Sequence, residues 1–117
     1  MAEKVGQKLP PWAVTPEKID EAVRRIVASA QPLKVIVFGS QSRGDATSDS
    51  DLDIVVIERE VKDRFAEMVR LNRSLRGLLM AVDILVIGER DFEQWAATPG
   101  SVYYTASREG RVAYEAA

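Results

Sequence analysis

The chain predicts an α/β (α+β) domain: a mixed β-sheet with helices packed mainly on one side. Three observations carry the prediction. Short β-branched runs of strand length alternate with segments of helical periodicity. A helix lies between the second and third of those runs, as in a crossover unit. The 117 residues are 46% hydrophobic, enough apolar surface for one real core and too little length for a second substrate-carrying domain.

Residues 1–14 read as an irregular lead-in without apolar periodicity, pinned by Trp12, and 15–117 as one domain. Thr15 can cap a helix with Pro16 at its first position, and Ile19, Ala22, Val23, Ile26, Val27 and Ala30 follow at helical spacing. Gln31-Pro32 stops it. Leu33 to Phe38 is a first strand, buried on both faces and closed by Gly39. A polar loop from Gly39 to Ser50 leads into a second strand, Asp51 to Ile57, where Leu52, Ile54 and Val56 alternate with Asp51, Asp53 and Val55. Val61, Phe65, Met68, Leu75 and Leu79 then recur at helical spacing among Arg64, Arg70, Arg73 and Arg76, predicting an amphipathic helix with a basic outer face that ends near Gly77. A third strand covers Ala81 to Ile87. A short helix around Asp91 to Trp95, a turn at Pro99-Gly100, a helix over Val102 to Arg108 stopped by Gly110 and an extended tail from Arg111 to Tyr114 complete the chain.

Composition narrows the chemistry. Sixteen Lys and Arg against eighteen Asp and Glu leave a formal charge of -2, which argues against a long basic groove and against nucleic acid as a direct ligand. Cysteine and histidine are both absent, so disulfides, thiolate nucleophiles, the usual zinc sites and any Ser-His or Cys-His pair are excluded. Carboxylates must carry any catalysis. The apolar runs fall far short of the roughly 20 residues of a membrane span, and no charged-then-apolar leader opens the chain, so a cytoplasmic protein with no membrane partner is expected.

The residues too costly to be accidental packing lie between Gly39 and Asp53. Asp51 and Asp53 are two apart in a strand, so both leave the same face with Cβ atoms about 6 to 7 Å apart. They repel one another unless a cation intervenes. Mg²⁺ ions, with Mn²⁺ able to stand in, prefer such carboxylate oxygens together with substrate phosphate oxygens, and the spacing suits a two-metal site. Asp83 interrupts the apolar run of the third strand, Val82-Asp83-Ile84-Leu85-Val86, where a lone carboxylate should be expensive to bury. If strands two and three are neighbours, Asp83 lies beside the pair as a further ligand or as the base for an attacking hydroxyl. Gly39 permits close backbone approach, and the N–H groups after it, at Ser40, can face a triphosphate. Arg43 either adds charge-assisted bonds to those phosphates or pairs with Asp45 or Asp49.

Gly39-Ser40, Arg43-Gly44 and Asp51-Leu52-Asp53 together resemble the nucleotidyltransferase signature of the DNA polymerase beta superfamily. The chain is most similar to the minimal nucleotidyltransferases, short proteins often paired with a separate helical HEPN protein as antitoxin and toxin. Arg108-Glu109-Gly110-Arg111-Val112-Ala113-Tyr114-Glu115 resembles the close of such a domain, so the likeness spans Ile19 to Glu115. It implies a polymerase-beta-like fold, triphosphate on Gly39 and Ser40, Mg²⁺ on Asp51 and Asp53, and Asp83 as the family's third carboxylate. It further implies transfer of a nucleoside monophosphate, often AMP from ATP, to a hydroxyl with pyrophosphate leaving; in the toxin and antitoxin branch the acceptor is a tyrosine of the partner.

Plainer readings exist for single residues. Asp49 to Asp51 alone would pass for a turn entering a strand, although a turn explains none of the spacing to Gly39-Ser40, Arg43-Gly44 and Asp83. Asp83 alone could be a strand-end acid paired with an arginine, and Asp45 reads as a solvated loop acid. The arginine face reads as solvated, and Trp95, Tyr103 and Tyr104 as core. The expected function is a Mg²⁺-dependent nucleotidyltransferase acting as antitoxin of a two-chain system. The rivals are an antitoxin that neutralises its partner by contact alone and a stand-alone enzyme acting on a small hydroxyl compound.

Overall fold

The computed structural model describes residues 11–39 and 52–117. Within them the chain forms helix α1 (Pro16–Ala30), strands β1 (Lys34–Phe38) and β2 (Leu52–Glu58), helix α2 (Arg64–Ser74), strand β3 (Val82–Gly88), helices α3 (Glu89–Ala96) and α4 (Val102–Glu109) and strand β4 (Arg111–Glu115). The strands make one mixed sheet in the order β3-β2-β1-β4. β1 runs antiparallel to both β2 and β4, while β2 and β3 are parallel, joined by the crossover helix α2.

The local signals explain most boundaries. Thr15 caps α1 by accepting from Lys18 N–H at 3.2 Å, with Pro16 at the first helical position. Gln31 ends the helix in the left-handed region (φ 50), its N–H returning to Val27 O. Pro32 follows, so the chain cannot resume a helix there. Asp63 caps α2 by accepting from Ala66 N–H at 3.0 Å. That cap starts α2 after Val61, and the helix ends at Ser74, short of the end expected near Gly77. Its inward stripe is Met68, Leu71 and Leu75, whereas Phe65 and Leu79 are exposed.

Two cores flank the sheet, so helices cover both of its faces and not mainly one. The larger lies under α1 and α2, where Ile19, Ala22, Val23, Ile26, Leu71 and Leu75 meet Val35, Val37, Leu52, Ile54, Val56, Ile84 and Val86. The smaller lies on the opposite face, where Tyr103 and Ala106 of α4 and Phe92 of α3 cover Ile36, Phe38, Val55, Ile57 and Ile87. β1 and β2 are therefore buried on both sides, as their unbroken apolar runs require. Tyr103 joins Phe92 edge to face, with ring centroids 6.2 Å apart.

Polar anchors set the helices against one another. Lys18 Nζ donates to the carbonyls of Pro11 (2.5 Å), Ala13 (2.8 Å) and Leu79 (2.6 Å), tying the entry segment and the α2–β3 turn to the start of α1. This lysine, and not Trp12, pins the entry segment: the indole is 57% exposed. Arg70 pairs with Glu67 and donates to Ser29 O (2.9 Å) and Oγ (3.0 Å), so one arginine of the basic face links α2 to α1. Arg25 donates to Arg76 O at 3.0 Å from the other side. At the sheet's β4 edge the register shifts between Val35 and Ile36, a bulge that twists the edge away from further pairing. Among the described residues no helix is long and apolar enough to cross a membrane.

Candidate active site

Three adjacent strands bring chemistry to one end of the sheet. β1 runs towards that end and closes at Phe38, which is opposite Asp53; Gly39 follows in a positive-φ conformation (φ 109). β2 and β3 start there, each with an aspartate as its second residue, and their parallel register pairs Asp53 directly with Asp83. Neighbouring strands lie about 4.8 Å apart, and paired residues of a parallel ladder point to the same face. The two carboxylates accordingly share a face, the one that Val55, Ile57, Leu85 and Ile87 present to α3 and α4.

Asp53 is half-buried and Asp83 exposed. The desolvation cost expected of Asp83 from its apolar neighbours is thus not incurred, because it stands at the open start of β3 and burial begins at Ile84. A hollow of about 500 Å³ adjoins the pair, lined on this face by Asp53, Asp83, Leu85 and Val102 and around the β3 edge by Met68, Asn72, Val82 and Ile84. Leu85 and Val102 had no mark in the sequence as site residues. The signal available for Val102 was its position just after Ser101 at a helix start, which says nothing about what the helix faces.

Of the residues expected at the site, Gly39, Asp53 and Asp83 gather at this end of the sheet. Ser40, Arg43 and Asp51 lie outside the described residues, as do Asp45 and Asp49. Among the described residues no three metal-ligating side chains converge. The two present are a hard oxygen donor set of like charge at adjacent ladder positions, which fits a divalent cation such as Mg²⁺ and disfavours a bare pair. The aromatic residues divide. Tyr103 is core, and its hydroxyl accepts from Arg64 Nη2 at 3.4 Å. Tyr104 is half-buried beneath the Arg108 guanidinium, 4.8 Å from the ring centre. Trp95 departs from its expected core position, being 45% exposed.

A second carboxylate pair sits at the far end of β2. Burial, and then the facing Glu67, push the Glu58 carboxyl up to about 8, while Arg70 holds Glu67 below the usual carboxylate range. One Glu58 oxygen is buried without a hydrogen-bond partner.

The mixed sheet presents two acids, Asp53 and Asp83, beside a glycine turn, in a chain with neither histidine nor cysteine. Comparison with known proteins supplies the class. Residues 16–115 match the family model of the nucleotidyltransferase domain; the chain belongs to that family and is a transferase domain. Its resemblance to the minimal nucleotidyltransferases of the polymerase-beta-like superfamily is borne out. A solved structure from Sulfolobus solfataricus, provisionally assigned as a nucleotidyltransferase, shares the fold. Its TM-score is 0.59 at 24% identity, covering 85% of this chain and 78% of that one. No curated protein sequence matches the chain.

Proposed function

We propose that the chain moves a nucleoside monophosphate, AMP from ATP, onto a hydroxyl group, and that the acceptor is a tyrosine of a helical HEPN-type partner whose toxicity this transfer suppresses. The observation that carries the transfer chemistry is the ladder pairing of Asp53 with Asp83 at the sheet end where Gly39 turns. Asp51, Asp53 and Asp83 are the residues that would hold Mg²⁺, which when bound offsets the charge of the phosphates and of the acids themselves. Gly39, Ser40 and Arg43 bind the triphosphate. The acceptor oxygen bonds to the α-phosphorus, the bond from that phosphorus to the bridging oxygen breaks, and pyrophosphate leaves. On this reading Asp83, exposed beside the hollow, takes the hydroxyl proton. Such chemistry needs positioning and charge neutralisation and no protein nucleophile, so the missing histidine and cysteine are no obstacle. The partner reading rests on the family resemblance.

The test is the intact mass of the protein that co-purifies with this chain, before and after ATP and Mg²⁺, beside an Asp51→Asn, Asp53→Asn variant. A gain of one or more AMP units with the unaltered chain alone is expected. Equal gain with the variant overturns the assignment of the acids. Neutralisation without any mass gain, from each of the four triphosphates, identifies an antitoxin acting by contact.

A further inference from the structure

Val102 is an exposed apolar residue in a costly place. It is 42% exposed at the first position of α4 and lines the same hollow as Asp53 and Asp83. Its position is fixed by what surrounds it. The Ser101 hydroxyl accepts from Tyr104 N–H at 3.0 Å and donates to Trp95 O at 2.6 Å, so one side chain both caps α4 and clamps it to the end of α3. The next residue, Tyr103, is buried against Phe92. Val102 therefore stands as a rigid wall. Leu85, two residues beyond Asp83 on the same face and about 6 to 7 Å along the strand, extends the apolar surface up the hollow.

We infer that Val102 is a specificity-determining residue against which the nucleobase of the substrate packs, with Leu85 beside it. The inference rests on the nucleotidyl-transfer reading and goes beyond it by naming a base-contacting surface. A nucleotide whose phosphates lie at the acids carries its base one sugar away, and the hollow that holds those acids is also lined by Leu85 and Val102. The flat face of a base needs an apolar surface, since its hydrogen-bonding groups lie on its edges. Leu85 and Val102 are the apolar lining on the carboxylate face, with Met68, Val82 and Ile84 continuing it around the β3 edge.

The test compares a ligand that has a base with one that lacks it. Calorimetric affinities are measured with Mg²⁺ for α,β-methylene-ATP, which resists transfer, and for inorganic tripolyphosphate, on the unaltered chain and on Val102→Ala and Val102→Phe. Alanine is an excellent helix residue at this exposed position, so the fold persists. Val102→Ala is expected to weaken the nucleotide about fourfold, as for losing contact on one side of two methyl groups, and Val102→Phe to tighten it. Tripolyphosphate affinity should stay within about twofold throughout. Equal changes for both ligands, or no change for either, overturn the assignment of Val102 while the transfer reading stands. If neither ligand binds the unaltered chain, the transfer reading fails and this inference falls with it.

Discussion

Replacing Gly110 with alanine should separate α4 from the sheet it covers. Gly110 ends α4 and turns the chain into β4, its N–H donating to Ala106 O at 2.9 Å. Its backbone is ordinary (φ -83), so the argument is space and not strain. A Cβ there would meet Ala106 O and Ile36 Cγ2 at 2.5 Å each and Phe38 Cβ at 3.1 Å. The first is a helix carbonyl held by its own hydrogen bond, and the other two belong to buried residues of the central strand. Relief therefore requires the α4–β4 corner to move away from β1. Overpacking of this kind costs about 1 to 3 kcal/mol; with a backbone atom among the obstacles, about 2 to 4 kcal/mol is expected, a fall in Tm of about 10 to 20 °C. Gly100→Ala is the matched control. It has φ 96 with nothing within 4 Å of the added Cβ, so it bears only the left-handed backbone penalty of about 1 kcal/mol. Urea unfolding of both variants decides the matter. If Gly110→Ala loses no more stability than Gly100→Ala, the close approach of α4 to β1 is not what requires glycine.

Asp83→Asn keeps shape while removing charge; transfer is expected to fall by about 10² to 10³ in kcat/KM, with Tm within about 2 °C because the side chain is exposed. Radiolabel transfer and a thermal melt on the same preparation check both. The Glu58 carboxyl binds its proton more tightly folded than unfolded, so its contribution is fully present below about pH 4.5 and is lost as pH rises towards about 8. Solvent screening of this incompletely buried pair limits the effect to about 1 to 2 kcal/mol. Glu58→Gln should match the unaltered chain at pH 4 and exceed it by that amount at pH 9, and parallel stability profiles would refute the assignment. Lys18→Met strips three carbonyls of their donor and should cost about 1 to 2 kcal/mol, since two of the three bonds are exposed. Hydrogen exchange should then rise at the α2–β3 turn as well as at the chain entry, which loss of helix propensity alone would not produce.

Much of this architecture is legible in the chain because its determinants are local. Thr15-Pro16 starts α1, Gln31-Pro32 ends it, Ser101 opens α4 and Gly110 closes it, each through bonds to residues within a few positions. The unbroken apolar run of β1 announced burial on both faces, whereas β2, read as alternating apolar and acidic positions, is covered on both faces only in the folded sheet. Helical spacing does not by itself separate buried from exposed apolar positions in α2: Phe65 lies inside the helix yet is exposed, and Leu79 lies beyond its end and the turn at Gly77 (φ 89).

The candidate site divides along the same line. That Asp51 and Asp53 share a face follows from the two-residue period of a strand, and the carboxylate chemistry follows from the absence of histidine and cysteine; both belong to the sequence. Strand order and register do not, since they arise from pairings between segments distant in the chain, such as Asp53 with Asp83 and Lys34 with Glu115. A slip of one residue between β2 and β3 would have turned Asp83 to the α1 and α2 core. Only the folded sheet decided that Asp83 pairs with Asp53, that both face α4, and that α4 brings Val102 to their side. The physical reason is that alternation along a strand says which residues travel together, while the packing of two helix layers on the sheet decides which way they face.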